Sequence, residues 1–316
     1  MLLSAGRFAR YRAETHIFNT LAPRFGGLRE RADVDAALGV WLASDCHALT
    51  GLPDDEVRSA VSARARNAGD FLRIIMELMV ARQGAQRWAE TTPAHVLHMR
   101  EIVEQIPNAL FIHVIRDGRD VATSLEKQQW IRPLRVDRER PVLAAAAFWE
   151  WMVRHGRAEG GRVGDAYREV RYEALVESPH DTLASLESFI DQRLDWGEIQ
   201  RVGIGSVGRP NTSFPGAKGG FSSRWRSQLS PDDARDVDAM LAPTLRALGY
   251  ASDVVHRPLS LACRGAAYAA RFSARDWLKR ATPIGRRATD LSHFRAGTMK
   301  ITSEKLDGVV GAPTME

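Results

Sequence analysis

The chain has 316 residues, of which 44% are hydrophobic and 26% charged, and carries a formal net charge of +5. A chain of this length buries a large core, and one decorated α/β domain suits it better than two equal domains. Its two cysteines, Cys46 and Cys263, exclude a disulfide framework and a cysteine metal cluster, so a reducing compartment is the default. The basic residues are spread among Glu and Asp without a zinc-finger or basic-zipper pattern, so the charge alone is weak support for nucleic acid, and none is expected as a partner. Arg73 and Glu77 interrupt one apolar run and Glu150 the other, so neither reaches membrane-spanning length. The first residues lack the charged start, apolar stretch and cleavage site of a secretory signal, and a cytoplasmic location is expected.

In chain order, residues 1–6 read as the tail of a helix stopped by Gly6, and residues 8–15 as a short strand leading to Glu14-Thr15-His16. Residues 26–84 read as helical. Within them, 33–42 is amphipathic, and Phe71, Ile74, Ile75, Leu78 and Met79 form a periodic stripe that Gly84 ends. Residues 86–90 read as a strand, and Thr92-Pro93 opens a helix to about Gln105. His95, His98 and Glu101 match no zinc spacing, and no metal is expected.

The apolar run 110–115 is short enough for a strand buried on both faces. Asp117-Gly118 breaks it, and 121–130 has helical composition with Asp or Gly near its start. Arg116 thus stands at the carboxyl end of a strand and Ser124 a turn and a half into the next helix. Backbone N–H groups at a helix N-terminus favour an anion, and an Arg fork beside them adds a bidentate cation. The same spacing also suits an ordinary strand–helix unit in which Arg116 pairs with Asp120.

Residues 128–140 form a basic loop, and Arg140-Pro141 starts a helix to about Gly156. Trp149 and Trp151 fall on different faces of it, so at most one packs inward. Residues 167–172 read as a strand, and Pro179-His180-Asp181 opens a helix to Ile190. The glycines between 203 and 208 precede Arg209-Pro210 instead of Lys-Ser/Thr, which makes that segment a surface loop. Ser230-Pro231-Asp232-Asp233 starts a helix that Gly249-Tyr250 ends. Residues 256–287 are basic with interleaved aromatics. Such a stretch can lie peripherally on an anionic membrane or pack across the rest of the protein, and packing is expected. Residues 299–316 have the composition of a tail.

The sequence Arg116-Asp117-Gly118-Arg119-Asp120-Val121-Ala122-Thr123-Ser124 follows an apolar strand. Trp88-Ala89-Glu90-Thr91-Thr92-Pro93 precedes it, and Arg171-Tyr172-Glu173-Ala174-Leu175 comes after. Together these resemble the sulfotransferases that use 3'-phosphoadenosine-5'-phosphosulfate (PAPS), in particular bacterial relatives of the protein-tyrosine sulfotransferases. The resemblance runs to about Tyr250. It divides the chain into a catalytic domain, 1–254, and a basic amphipathic extension and tail, 255–316. It implies a P-loop-NTPase-like, three-layer α/β fold with a mostly parallel sheet.

The resemblance implies that Arg116 and Ser124 hold the 3'-phosphate of PAPS and that Tyr172 contacts its adenine. The segment from Lys218-Gly219-Gly220 to Arg224-Trp225-Arg226 is similar, with a shift in spacing, to one that closes over the same phosphate. Lys218 or Arg226 would make that contact. Glu14 falls where relatives carry the base, and His16 is the alternative. Thr91 stands where many members have a Lys and cannot supply its charge. The first strand and Gly-rich 5'-phosphosulfate loop of the family are not found before Glu14, so a domain truncated at its N-terminus is expected. The reaction implied is sulfuryl transfer from PAPS to a hydroxyl or amine acceptor, without metal. The alternative is a non-catalytic module that binds the 3'-phosphoadenosine end or a partner. The acceptor and the oligomeric state stay open.

Overall fold

The computed structural model describes residues 1–203 and 223–297. Lys218, the glycine segment beyond Gly203 and residues 299–316 lie outside the described residues. Those described fall into two compact units: 1–109 with 183–203 and 278–297, and 110–182 with 223–277.

In the first unit a short 3-10 turn, Leu2–Ser4, is followed by Gly6 at φ +80°. Strands β1 (Phe8–Ala9) and β2 (Arg87–Trp88) pair in parallel. Beyond Trp88 the chain leaves the ladder, and Glu90 instead accepts hydrogen bonds from Thr15. Helices α1 (Arg31–Leu42), α2 (Asp54–Arg64) and α3 (Ala68–Arg82) supply most of the apolar packing. The Asn67 side chain caps α3 by accepting from the Asp70 N–H. Of the predicted stripe, Phe71, Ile74, Ile75 and Met79 are buried and Leu78 is half-buried at its margin. The chain leaves the helix through Gly84 at φ +60°, a conformation that costs other residues a Cβ clash. The helix expected from Thr92 is instead two pieces, a 3-10 turn Pro93–Leu97 and α4 (Met99–Gln105), joined at His98. His95 is drawn to Glu90 in the first piece, and His98 bonds Glu101 in the second.

In the second unit β3 (Phe111–Ile115) and β4 (Tyr167–Arg171) pair in parallel over their full lengths. Val114 remains 49% exposed, so β3 is not buried on both faces as its composition predicts. Among the described residues its one ladder is with β4, and helix α6 (Pro141–Val163) packs against it. Helix α5 (Gly118–Gln128) lies on α6. The alanines 144–147 and Gly156 are all buried in α6, and Gly156 sits inside the helix without ending it. Further helices here are α7 (Tyr172–Glu177), α8 (Trp225–Gln228), α9 (Pro231–Ala247) and α10 (Leu259–Ala281), and the predicted helix Pro179–Ile190 begins at the end of this unit's first segment. The Ser230 side chain caps α9 by accepting from the Asp233 N–H.

Both tryptophans of α6 are buried, at 5% and 6% exposure, where the sequence predicts at most one. Trp149 lies over Gly118, and α10 covers Trp151. The Trp151 indole N–H donates to Ser273 at 2.9 Å, and Phe272 packs against its ring. The basic stretch near the C-terminus is therefore partnered here by the core. Leu261 and Tyr268 join the α6–α9 cluster, while the Tyr268 hydroxyl and Arg264 both donate to the buried Asp137. No helix among the described residues is long and apolar enough to cross a membrane.

A Cβ at Gly118 would stand 2.5 Å from the Trp149 ring. Gly118→Ala is therefore expected to destabilise the protein by about 1–3 kcal/mol through overpacking. Thermal unfolding of the variant, seen as a lowered Tm, checks this.

Candidate functional site

In the second unit, the turn after β3 is fixed by its own charges. The Asp117 side chain caps α5, accepting from the Arg119 N–H at 2.9 Å, and the Asp117 N–H donates to Glu173 at 2.9 Å. A carboxylate thus already occupies the helix N-terminus that the sequence suggests for a bound anion. A second anion at this turn would meet like charge unless the neighbouring arginines offset it. Arg119 is buried between Asp117 at 2.7 Å and Asp238 at 2.6 Å, with its guanidinium over the Trp225 ring at 4.4 Å. Burial opposes its charge, but the bonds to Asp117 and the attraction of both aspartates outweigh it and raise its pKa. This arginine is part of the frame.

Arg116 is placed differently. Its guanidinium is 22% exposed, lies over the Tyr172 ring at 5.0 Å and bonds Asp120 at 3.2 Å. The Asp120 side chain is 1% exposed, and it also accepts from the Ser223 N–H at 3.0 Å and the Trp225 N–H at 2.9 Å. One carboxylate therefore orients Arg116 and pins the start of α8. Ser124 lies exposed one turn beyond Asp120 on α5.

Arg226 is turned onto the Trp225 indole, 4.5 Å from the ring centroid. Arg224, two residues earlier, acts on Tyr172. Burial raises the Tyr172 hydroxyl, while Arg116 and Arg224 both pull it down. The structure thus brings Arg116 and Tyr172 together, within range of the Arg224 charge. The sequence held one signal for Arg224, its place in the same basic segment as Arg226.

In the first unit, Glu14 and His16 meet, with Glu14 Oε2 3.3 Å from His16 Nε2. His16 has left-handed backbone geometry, φ +50°, which is costly outside glycine and tends to mark functional sites. Thr92 and Glu90 hold this turn in place. Thr92 Oγ1 accepts from the N–H groups of Thr15 at 2.9 Å and His16 at 3.3 Å. Glu90 accepts from the Thr15 N–H and hydroxyl, from Thr92, and from His95 Nδ1 at 3.0 Å.

These contacts set the charges. Burial raises the Glu14 carboxyl to about 7, Glu90 adds to the rise, and His95 opposes it. Burial lowers His16 to about 3, helped by His293 and His95, so its ring is neutral at ordinary pH. Glu90 goes the other way. Burial favours its neutral form, but His95, Thr92 and Thr15 outweigh that and hold it at about 2. Sequence reading missed Glu90 and His95 as parts of this site, because Glu90 reaches Thr15 across 75 positions of chain.

Because Glu90 is depressed below the ordinary 4.5, its contribution to stability is fully present above that value. It is lost as pH falls toward about 2, the loss totalling about 3 kcal/mol. Acid unfolding of the wild type should steepen over that window, and Glu90→Gln should flatten it.

The described chain is a helix-rich α/β protein with small parallel sheets and a cationic cluster at the end of one strand. The profile of the sulfotransferase family matches residues 23–196, more than half of the chain, and the chain belongs to that family. Arg116, Ser124 and Tyr172 fall inside the matched residues, whereas Glu14 and His16 precede them. No curated protein matches. Among solved structures, the chain is similar to the sulfotransferase domain from the curacin biosynthetic pathway. That likeness has 15% identity and a TM-score of 0.48, covering 79% of this chain and 92% of that one. It is similar also to the sulfotransferase domain from the Synechococcus PCC 7002 olefin synthase, with 17% identity, a TM-score of 0.44, and 86% and 88% covered.

Proposed function

We propose that this protein transfers a sulfuryl group from PAPS to a hydroxyl or amine acceptor, with Glu14 as the base. The acceptor atom attacks sulfur, the bond from sulfur to the phosphate oxygen breaks, and 3'-phosphoadenosine-5'-phosphate leaves. The acceptor's proton passes to Glu14. Such a transfer needs little covalent help from the protein, and most of its rate comes from positioning and from charge around the reacting oxygens. Arg116 and Ser124 would take the 3'-phosphate, Tyr172 the adenine, and Arg226 or Lys218 a further phosphate contact. Among the described cations, Arg224, whose charge acts on Tyr172, is a further candidate for that contact.

One observation supports Glu14 above His16. The carboxyl is poised at about 7, near the optimum for a base at neutral pH, whereas His16 is held at about 3. A neutral imidazole of such low basicity accepts a proton poorly. It can still orient the carboxylate by donating from Nε2.

The residues after β1 run from Arg10 to His16 without a glycine, so this turn offers no Gly-rich phosphate loop. That favours, as the second reading, a module that binds the 3'-phosphoadenosine end without turnover. Isothermal titration with 3'-phosphoadenosine-5'-phosphate tests what both readings share. A PAPS-dependent sulfation assay, on this chain and on one extended by any in-frame upstream residues, then separates them. Binding without sulfation in either form would leave only the second reading, and no binding would remove both.

A further inference from the structure

Residues 290–297 lie against the Glu14 site within the first unit, although the sequence resemblance ends about forty residues earlier. The segment is anchored at several points. The Asp290 carboxylate accepts from the Ser292 N–H and hydroxyl, both at 2.9 Å, and shapes the 3-10 turn Ser292–Phe294. Phe294 is buried, packing on Trp41 and edge-on to His16. The Cys46 thiol donates to the His293 carbonyl at 3.7 Å, and the Gly297 N–H donates to Asp45 at 2.8 Å. Between these anchors the His293 ring stacks on the His16 ring, with centroids 4.0 Å apart and planes 23° from parallel.

His16 has few other restraints on its ring. Its Nδ1 is 3.4 Å from the Asn19 amide nitrogen, at the long end of hydrogen-bond reach, and its Nε2 faces Glu14. The stack covers one face of the ring and the edge of Phe294 a second side. A side chain so confined keeps one rotamer and stays out of water.

We propose that the segment 290–297 is the outer wall of the Glu14 site and that His293 is a positioning residue, holding the His16 ring against the Glu14 carboxylate. This rests on the proposed role of Glu14. It extends that site to a segment outside the family resemblance. His293 touches neither the base nor the reacting atoms; it acts through His16. His293 is itself exposed; partial desolvation of its ring pushes it toward the neutral form, with Asp290 opposing this and Lys279 adding to it. Two neutral rings can stack without mutual repulsion.

The test is a pair of variants in the full chain, His293→Ala and His293→Phe, read in two ways. The first is an NMR titration of the His16 ring, assigned by comparison with His16→Gln. Glu14, Glu90, His95, Lys279 and Asp290 are the other charged or titratable groups acting on the two rings, and they are unchanged in both variants. In the wild type, and in His293→Phe, which keeps a stacking ring, His16 should not titrate between about pH 5 and 8. In His293→Ala it should titrate there, because the ring gains water.

The second reading is the pH profile of sulfation. His293→Ala should lower kcat by about tenfold to a hundredfold through misplacement, with the KM for PAPS unchanged. It should also move the acid limb to lower pH, since a charged His16 favours ionised Glu14. His293→Phe should restore both. A His16 titration that is the same in His293→Ala and wild type would overturn the positioning role, as would a His293→Phe that behaves like His293→Ala. If no form of the chain sulfates an acceptor, the proposed activity fails, and the NMR titration still decides the role of His293.

Discussion

Arg116→Ala is expected to weaken binding of 3'-phosphoadenosine-5'-phosphate on the order of a hundredfold, about 3 kcal/mol. Hydrogen bonds to charged groups contribute about 1.5–3 kcal/mol each, and a guanidinium can offer a phosphate two in parallel. The variant should remain folded. Asp120 would lose one partner but keep the N–H groups of Ser223 and Trp225, so no buried carboxylate is left bare. Isothermal titration gives the affinity, and an unchanged Tm shows that the loss is local. Arg116→Lys should fall between, because it keeps the charge without the fork and cannot lie flat on Tyr172. An Arg116→Ala protein that binds the nucleotide like wild type would remove Arg116 from the phosphate site.

Glu14→Gln should leave that affinity intact and lower turnover by roughly 10²–10⁴, the usual contribution of a positioned base. The pH dependence follows from the raised carboxyl. Below about 7 the Glu14 carboxyl is protonated and cannot accept a proton, so the rate should fall tenfold for each pH unit on the acid side. Above that value it should level off. In Glu14→Gln the limb should vanish along with most of the rate. If His16→Ala abolished the limb and Glu14→Gln did not, the base would be His16. Equal loss of nucleotide binding in Glu14→Gln and Arg116→Ala would contradict the division of labour between the two residues.

The sequence made the elements around Arg116 legible because they rest on local rules. An apolar run, Asp-Gly and a helical stretch are read within a single window, and β3 and α5 follow them closely. The α3 stripe and its stop at Gly84 are local in the same sense. Partnership across the chain was not legible. At most one of Trp149 and Trp151 looks inward-facing until α10, more than a hundred positions later, covers Trp151 with Ser273 and Phe272. The two arginines of Arg116-Asp117-Gly118-Arg119 look alike in sequence, yet Asp238 and Trp225 make Arg119 a buried support. Glu14 could be picked by its place in a resemblance. The reason it is a credible base lies in Glu90, His95 and burial, none of which periodicity reveals.

The Arg119 junction also constrains how the second unit comes into being. Asp117 and Arg119 emerge from the ribosome well before Asp238, which lies 119 positions beyond Arg119. Glu173 likewise waits for the Tyr250 hydroxyl. Until those residues are made, the nascent strand–helix pair lacks Asp238 as a second partner for its arginine and a hydroxyl donor for the second oxygen of Glu173. Chain segments with such unmet charges have little drive to leave water early. This unit should therefore close late in translation, once α9 and Tyr250 beyond it have been synthesised.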